Sequence, residues 1–259
     1  MTILDKIIAD KYIEVRLRKS VLPPTELVKS HLFQRDTLSL AKCLKSSKTG
    51  IIAEHKRRSP SKSVINQDLN VFDVAKGYEA AGACGMSVLT DGKYFGGSLD
   101  DLLTARASCN LPLLRKEFII DEYQLLAAKA FGADVVLLIA ALLSPKEIKR
   151  FTEQAKSLGL EVLLEVHDEE ELKKSIVPGP DMIGVNNRNL KTFEVSIETS
   201  KKLSGLIPNE FVKVSESGIS DVNTIKELRS FGFKGFLIGE NFMKTKDPGR
   251  SAKEFISLL

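Results

Sequence analysis

Short runs of Val, Ile and Leu recur along the chain, and each is separated from the next by a stretch whose apolar residues fall at helical spacing. Eight such runs stand out: Gly50-Ile-Ile-Ala-Glu54, Gly85-Met-Ser-Val-Leu89, Leu111-Pro-Leu-Leu-Arg115, Asp134-Val-Val-Leu-Leu-Ile139, Glu161-Val-Leu-Leu-Glu165, Met182-Ile-Gly-Val-Asn186, Phe211-Val-Lys-Val-Ser215 and Gly235-Phe-Leu-Ile-Gly239. Their centres advance by about 20 to 34 residues, a distance that suits a strand, a loop and a returning helix. Helix starts are signalled by Asp121, by Ser144-Pro145 with Glu147, by Asp168 with Glu171, and by Ser220 before an amphipathic run. Gly132 and Gly232, each following a Phe, stand where such helices should stop.

Near-continuously apolar strands joined by helices predict a parallel sheet covered on its outer face. Eight units predict an α/β fold, a single (β/α)8 TIM barrel. A doubly wound open sheet is the structural competitor, but no Gly-x-Gly-x-x-Gly follows the first strand and the chain does not split into two halves. Residues 1–47 precede the first strand and form an N-terminal helical extension, with Ile3, Ile7, Ile8, Tyr12 and Val15 as its apolar stripe. We read it as a helix packed on the barrel, with a lid or cap as the alternative, and residues 1–259 as one barrel domain.

Composition changes this picture little. The 259 residues are 43% apolar and 28% charged, a soluble globular balance that needs neither disulfides nor a structural metal to fold. The 38 Lys and Arg against 34 Asp and Glu are spread along the whole chain rather than gathered into a basic stripe, so no nucleic-acid partner is expected. The longest apolar run, Val135 to Leu143, is far short of the ~20 residues of a membrane helix, and no signal-peptide core opens the chain. A cytoplasmic protein without a membrane partner is expected. Cys43, Cys84 and Cys109 lack Cys-x-x-Cys spacing, and His31, His55 and His167 are equally scattered, which argues against a disulfide framework or a metal centre.

Candidate chemistry lies at the carboxyl ends of the strands, where barrels of this type carry their active sites. The first strand runs into Glu54-His55-Lys56-Arg57-Arg58-Ser59, the third into Arg115-Lys116-Glu117, and the fifth ends at Glu165; the sixth gives Asn186-Asn187-Arg188, the seventh Ser215-Glu216-Ser217-Gly218, the eighth Gly239-Glu240-Asn241. Residues two apart on a strand face the same way, so Glu54 and Lys56 both point into the mouth and can pair, and Lys116 and Glu165 can converge on the same space. Two neighbouring ammonium groups and partial burial would lower a lysine pKa toward that of a usable acid, while adjacent carboxylates oppose this. Gly218 and Gly239 suit a phosphate seat, with Ser59 and Ser217 as hydroxyl donors, because glycines let backbone N–H groups approach an anion. Singly, each such residue also suits a solvated rim or an ordinary turn.

Several segments together resemble the indole-3-glycerol phosphate synthase family. They are Ile52-Ala-Glu-His-Lys-Arg-Arg-Ser-Pro-Ser61, Ser87-Val-Leu-Thr-Asp-Gly-Lys-Tyr-Phe-Gly-Gly-Ser-Leu99, Leu114-Arg-Lys-Glu-Phe-Ile-Ile-Asp121, Leu164-Glu-Val-His167, Ile183-Gly-Val-Asn-Asn-Arg-Asn-Leu190, Val214-Ser-Glu-Ser-Gly-Ile219 and Phe236-Leu-Ile-Gly-Glu240. The similarity runs through essentially the whole chain, in order. It implies an enzyme of tryptophan biosynthesis, a carboxy-lyase that closes the ring of 1-(2-carboxyphenylamino)-1-deoxyribulose 5-phosphate with loss of carbon dioxide and water. No cofactor and no metal are implied.

Carried over by position, the resemblance makes Lys116 the general acid at the ribulose carbonyl and Glu165 a base or electrostatic stabiliser. Lys56, held by Glu54, meets the substrate carboxylate or donates a second proton. Asn186, Arg188 and Glu216 complete the polar wall, with Ser217 near the substrate. Ser59, Gly218, Gly239 and Glu240 bind phosphate, the last through its backbone N–H, and Phe95, Phe118, Leu137 and Leu237 enclose the anthranilate ring. A monomer is expected, with association with other tryptophan-pathway enzymes left open. His55 stands where the family has an apolar or aromatic residue and Ser63 where a glycine often follows Ser-Pro-Ser-Lys. Two alternatives stand beside this reading: another phosphate-sugar barrel enzyme, such as a phosphoribosylanthranilate isomerase, and a non-catalytic phosphate-sugar-binding barrel.

Overall fold

Each of the eight apolar runs becomes a strand in the computed structural model, which describes residues 2–190 and 192–259. In chain order they are β1 (Ile51–His55), β2 (Gly85–Leu89), β3 (Leu113–Lys116), β4 (Val135–Ile139), β5 (Glu161–Val166), β6 (Met182–Asn186), β7 (Val212–Glu216) and β8 (Gly235–Ile238). Every strand pairs in parallel with the next, and β8 closes on β1. The doubly wound alternative is thereby excluded and the TIM barrel stands. β3 starts at Leu113 rather than Leu111. Pro112 has no N–H to give a ladder and enters it only through its carbonyl, which accepts from Met86 N.

Strand alternation divides the apolar residues between two cores. One face of each strand joins the outer helices in a large cluster that includes Ile51, Ala53, Met86, Val88, Val136, Leu138 and Leu164. The other face fills the barrel interior with Ile52, Leu114, Val135, Leu137, Leu163, Met182, Val212, Val214 and Leu237. The inward set continues upward, two residues at a time, into Glu54 and Lys56 from β1, Lys116 from β3, Glu165 from β5, Asn186 from β6 and Glu216 from β7. The periodicity that buries the core therefore aims the polar groups into the mouth.

The helix signals hold almost to the residue. Asp121, Ser144 and Asp168 each cap a helix by accepting from a backbone N–H in its first turn. The cap before helix Val222–Ser230 is Asp221 rather than Ser220; its carboxylate accepts from Thr224 N. Gly132 and Gly232 adopt left-handed conformations just past their helices.

Within residues 1–47 lie helices Ile3–Val21, Pro24–Leu27 and Leu40–Ser46. The last of these closes the amino-terminal end of the barrel by presenting fully buried Leu40 and Leu44 to the interior cluster. The first lies over the opposite end, where Ile3, Leu4 and Ile7 reach the cavity. Its buried face differs from the expected stripe: Ile7, Lys11 and Val15 are buried, while Tyr12 is 59% exposed. Lys11 takes the inward position because its ammonium meets Asp91 Oδ2 at 2.8 Å, Glu117 Oε1 at 3.0 Å and Glu14 Oε2 at 2.7 Å. Among the described residues, no helix is long and apolar enough to cross a membrane.

Candidate active site

At the carboxyl ends of the strands a cavity of about 390 Å³ opens, and all sixteen residues singled out from the sequence line it. Its floor is ionic. Lys116 Nζ lies 3.0 Å from Glu165 Oε2 and closer still to Glu216 Oε2. On the β1 side, Lys56 Nζ lies 2.6 Å from Glu54 Oε1. Lys116 reaches its two carboxylates across the barrel, from β3 to β5 and β7, where Glu165 lies in register with Gly184 and Glu216 with Asn186.

Two glycines make room for the carboxylates. A Cβ on Gly184 would overlap Glu216 Oε1, and a Cβ on Gly239 would overlap Glu54 Oε1. Gly239 therefore has a structural duty that the sequence reading did not assign: it lets Glu54 lie flat at the mouth beside β8.

The electrostatics correct one expectation. Two ammonium groups were expected to pull a lysine down, but Lys56 is paired with Glu54 and the carboxylates win at Lys116. Burial alone would lower its pKa, yet Glu216, Glu165 and Glu54 together hold it above the usual lysine range. The excess of negative charge falls on Glu216. Burial pushes it up to about 7 against the pull of Lys116, with Glu165 and Glu54 adding to the rise. Glu165 is held down at about 2: burial opposes this, and Lys116, His167 and a hydrogen bond from Asn186 overcome it. The floor thus keeps Lys116 as an ammonium and Glu165 as an anion, and Glu216 is the carboxyl that most readily takes a proton.

The rim is built from turns. Ser217 and Gly218 both have positive φ, 68° and 75°. This tight bend after β7 is held by Asn187, whose side-chain amide donates to Ser217 O at 3.1 Å and Ser215 Oγ at 3.0 Å. Ser217 Oγ donates to Asn186 Oδ1 at 2.9 Å, and the Arg188 backbone N–H donates to the same oxygen at 3.0 Å. The short helix Glu240–Met243 starts at Gly239, so its first amides have no partner within the helix. The Glu240 side chain turns to Lys62, 2.8 Å away, which leaves its backbone as the part able to meet an anion. Ser59 lies on the same side of the cavity, in the loop after β1.

An apolar wall faces the floor. Phe95 and Phe118 meet at 5.9 Å between ring centroids, and Leu137 and Leu237 rise from the barrel interior beneath them. Ile3, Leu4 and Ile7 of the first helix, with Phe193 and Val195 of the loop after β6, complete the wall. The sequence reading placed none of these five in the site. A helical stripe tells that a face is buried, not whether it covers a strand or a mouth.

Of the two departures, His55 alternates away from Glu54 and is buried outside the cavity, where burial lowers its pKa to about 4. Ser63 is exposed in the loop. Neither Cys43, Cys84 nor Cys109 lines the cavity, which removes the thiol an isomerase chemistry of this barrel type would use. Among the described residues, no group of three or more His, Cys, Asp or Glu is placed to hold a metal ion.

Comparison with known proteins decides between the remaining readings. The family model for indole-3-glycerol phosphate synthase matches residues 4–255. The chain belongs to the indole-3-glycerol phosphate synthase family. The enzyme of that name from Bacteroides thetaiotaomicron is 51% identical over 257 residues, covering 99% of this chain and 98% of the relative. Those from Campylobacter jejuni and a Polaromonas species are 42% and 43% identical, each over at least 98% of both chains. Among solved structures, thiamine phosphate pyrophosphorylase from Pyrococcus furiosus shares the fold with a TM-score of 0.61 at 17% identity, over 85% of this chain and 97% of that one. An N-acetylmannosamine-6-phosphate 2-epimerase from Clostridium perfringens does so at 0.62 and 13%, over 83% and 96%. These two show the barrel alone, whereas the indole-3-glycerol phosphate synthase match spans barrel and mouth together.

Proposed function

We propose that this member of the indole-3-glycerol phosphate synthase family works through the Lys116, Glu165 and Glu216 cluster, with Lys116 as the acid that starts ring closure. The observation that carries the reading is the placement of one ammonium between two buried carboxylates on the floor of a cavity with an apolar wall and a glycine-lined rim.

The phosphate end of the substrate meets the rim at Ser59, Gly218, Gly239 and the Glu240 backbone. The aromatic ring lies against Phe95, Phe118, Leu137 and Leu237, its carboxylate facing Lys56 and its polar edge facing Asn186 and Arg188. The ring carbon that bears the carboxylate attacks the ribulose ketone carbon, and Lys116 transfers a proton to the carbonyl oxygen as the carbon–carbon bond forms. Carbon dioxide then leaves, and its bonding electrons restore the aromatic ring. Removal of the proton on the adjacent carbon, with departure of the hydroxyl as water, completes the indole; Glu165 takes the proton and an ammonium supplies the one that leaves with the hydroxyl.

The carboxylates hold Lys116 protonated, and the anionic carbonyl oxygen that forms during attack becomes a competing acceptor for its proton. Catalysis here is a transfer of the proton from carboxylate partners to a stronger, transient base. Mixing the protein with the anthranilate-ribulose phosphate, with and without a chelator, should give the ultraviolet absorption of an indole in both arms. Substrate bound with no indole formed would overturn the catalytic reading in favour of a binding barrel.

A further inference from the structure

Beside Glu165, just past the end of β5, stands a histidine that does not line the cavity and that the reaction scheme leaves unused. His167 follows Glu165 by two residues and shares its face of the chain at the end of β5. Its Nε2 lies 3.4 Å from Glu165 Oε1, the carboxylate oxygen not bound to Lys116, within ion-pair reach but outside hydrogen-bond geometry. Its Nδ1 lies 3.0 Å from Glu171 Oε2, and its backbone N–H donates to the same oxygen at 2.9 Å. Glu171 comes from helix Glu169–Ser175, which Asp168 caps. The ring is thus held between two carboxylates and is itself nearly buried, with 8% of its side chain exposed.

A neutral imidazole has one donor and one acceptor nitrogen, so in this clamp one nitrogen would face a carboxylate lone pair to lone pair. Only the imidazolium turns positive charge toward both, through a hydrogen bond at Nδ1 and an ion-pair contact at Nε2. We propose that His167 is a cationic positioning residue, clamped by Glu171, whose charge keeps Glu165 ionised and turned so that Oε2 faces the reacting centre. The proposal rests on the reading that Glu165 works at that centre.

Its use appears when Lys116 gives up its proton. Glu165 then loses the cation at Oε2, and without His167 it would sit as an uncompensated buried anion beside Glu216. With His167 at Oε1, its charge stays balanced through the step. The groups facing the ring are Glu165 on β5, Glu171 on the following helix and, further off, Glu216 on β7, with Lys116 on β3 beyond Glu165. Burial works against the charge, and Glu171, Glu165 and Glu216 outweigh it, so the ring titrates above its ordinary range.

The test has two arms. In ligand-free protein, nitrogen chemical shifts of the His167 ring followed against pH should show both nitrogens protonated at pH 6.5, and the midpoint should move to lower pH in Glu171→Gln. In kinetics, His167→Gln should lower kcat by about tenfold or more with little change in KM, because Glu165 is misplaced rather than removed. The alkaline fall of kcat, which follows loss of the imidazolium proton, should move to lower pH in Glu171→Gln. A ring that titrates below 6.5, or a Glu171→Gln profile superimposable on the parent's, would overturn the proposal; a merely structural role would change the melting temperature and leave the profile in place. A parent protein that forms no indole at any pH overturns the activity reading instead, and the ring titration still decides the charge claim.

Discussion

Two buried ionic clusters lie within a few residues of one another, and they do opposite things. In one, Lys11 meets Asp91, Glu117 and Glu14. Every carboxylate oxygen of Asp91 and Glu117 is engaged: Asp91 Oδ1 accepts from Tyr94 N, Glu117 Oε1 also accepts from Phe118 N, and Glu117 Oε2 accepts from Thr90 Oγ1. In the other, Lys116 faces Glu165 and Glu216, and Glu216 Oε1 is buried without a hydrogen-bond partner among the described residues. The first cluster is saturated and fastens the amino-terminal helix to the mouth. In the second, burial with Glu165 and Glu54 nearby leaves the Glu216 carboxyl raised in pKa. Buried charge alone does not separate the two; the cluster proposed to do chemistry is the one with a carboxylate oxygen that no hydrogen bond among the described residues fills.

Substitutions should separate the two. The largest effect is expected from Lys116→Met, which should cost on the order of 10²–10⁴ in turnover with KM within about tenfold, read from steady-state indole formation. Lys11→Met removes the ammonium that Asp91 and Glu117 share and leaves Glu117 with Arg115 at 3.4 Å, a loss of about 3–5 kcal/mol in denaturant unfolding, while turnover of the folded protein stays near the parent's. If instead Lys11→Met abolished turnover without loss of stability, the two clusters would not differ in kind.

Gly218→Val tests the rim. The left-handed backbone at Gly218 disfavours a branched side chain, and a Cβ there would overlap Val195. KM should rise severalfold or more with a smaller change in kcat; an unchanged KM would remove Gly218 from the phosphate seat.

The smallest effect concerns pH. Glu216 keeps its proton up to about 7, while an unfolded carboxyl releases it near 4.5. Between those values the folded state binds more protons, so this group's contribution to stability falls as pH rises through the window. Glu165, held at about 2, works the other way: its stabilisation is present above about pH 4.5 and is lost as pH falls toward 2. Glu216→Gln should therefore flatten the decline in melting temperature between pH 5 and 7 on the order of a few degrees, and a parallel decline in parent and variant would contradict the assignment.

The barrel was legible because its strands are buried on both faces and read as plain apolar runs, as at Val135–Ile139. The cavity floor was legible because strand alternation carries an inward core residue such as Leu163 directly to Glu165. Lys11 was not, since a charged residue in a helical stripe reads as solvent-facing, and its partners Asp91 and Glu117 come from the ends of other strands. The raised pKa of Lys116 was misjudged for a related reason: counting lysines at strand ends does not reveal that each ammonium is already paired. Asn187 was hidden in Asn186-Asn187-Arg188, where only the fold shows which asparagine faces the cavity and which pins the bend at Ser217.

Single-turnover conversion by Lys116→Met, with enzyme in excess over the anthranilate-ribulose phosphate, tests the central assignment most directly. Bound substrate should persist, with indole appearing at least a hundredfold more slowly than in the parent protein. Indole formation at close to the parental rate would show that the ammonium between Glu165 and Glu216 is not the acid that starts the reaction.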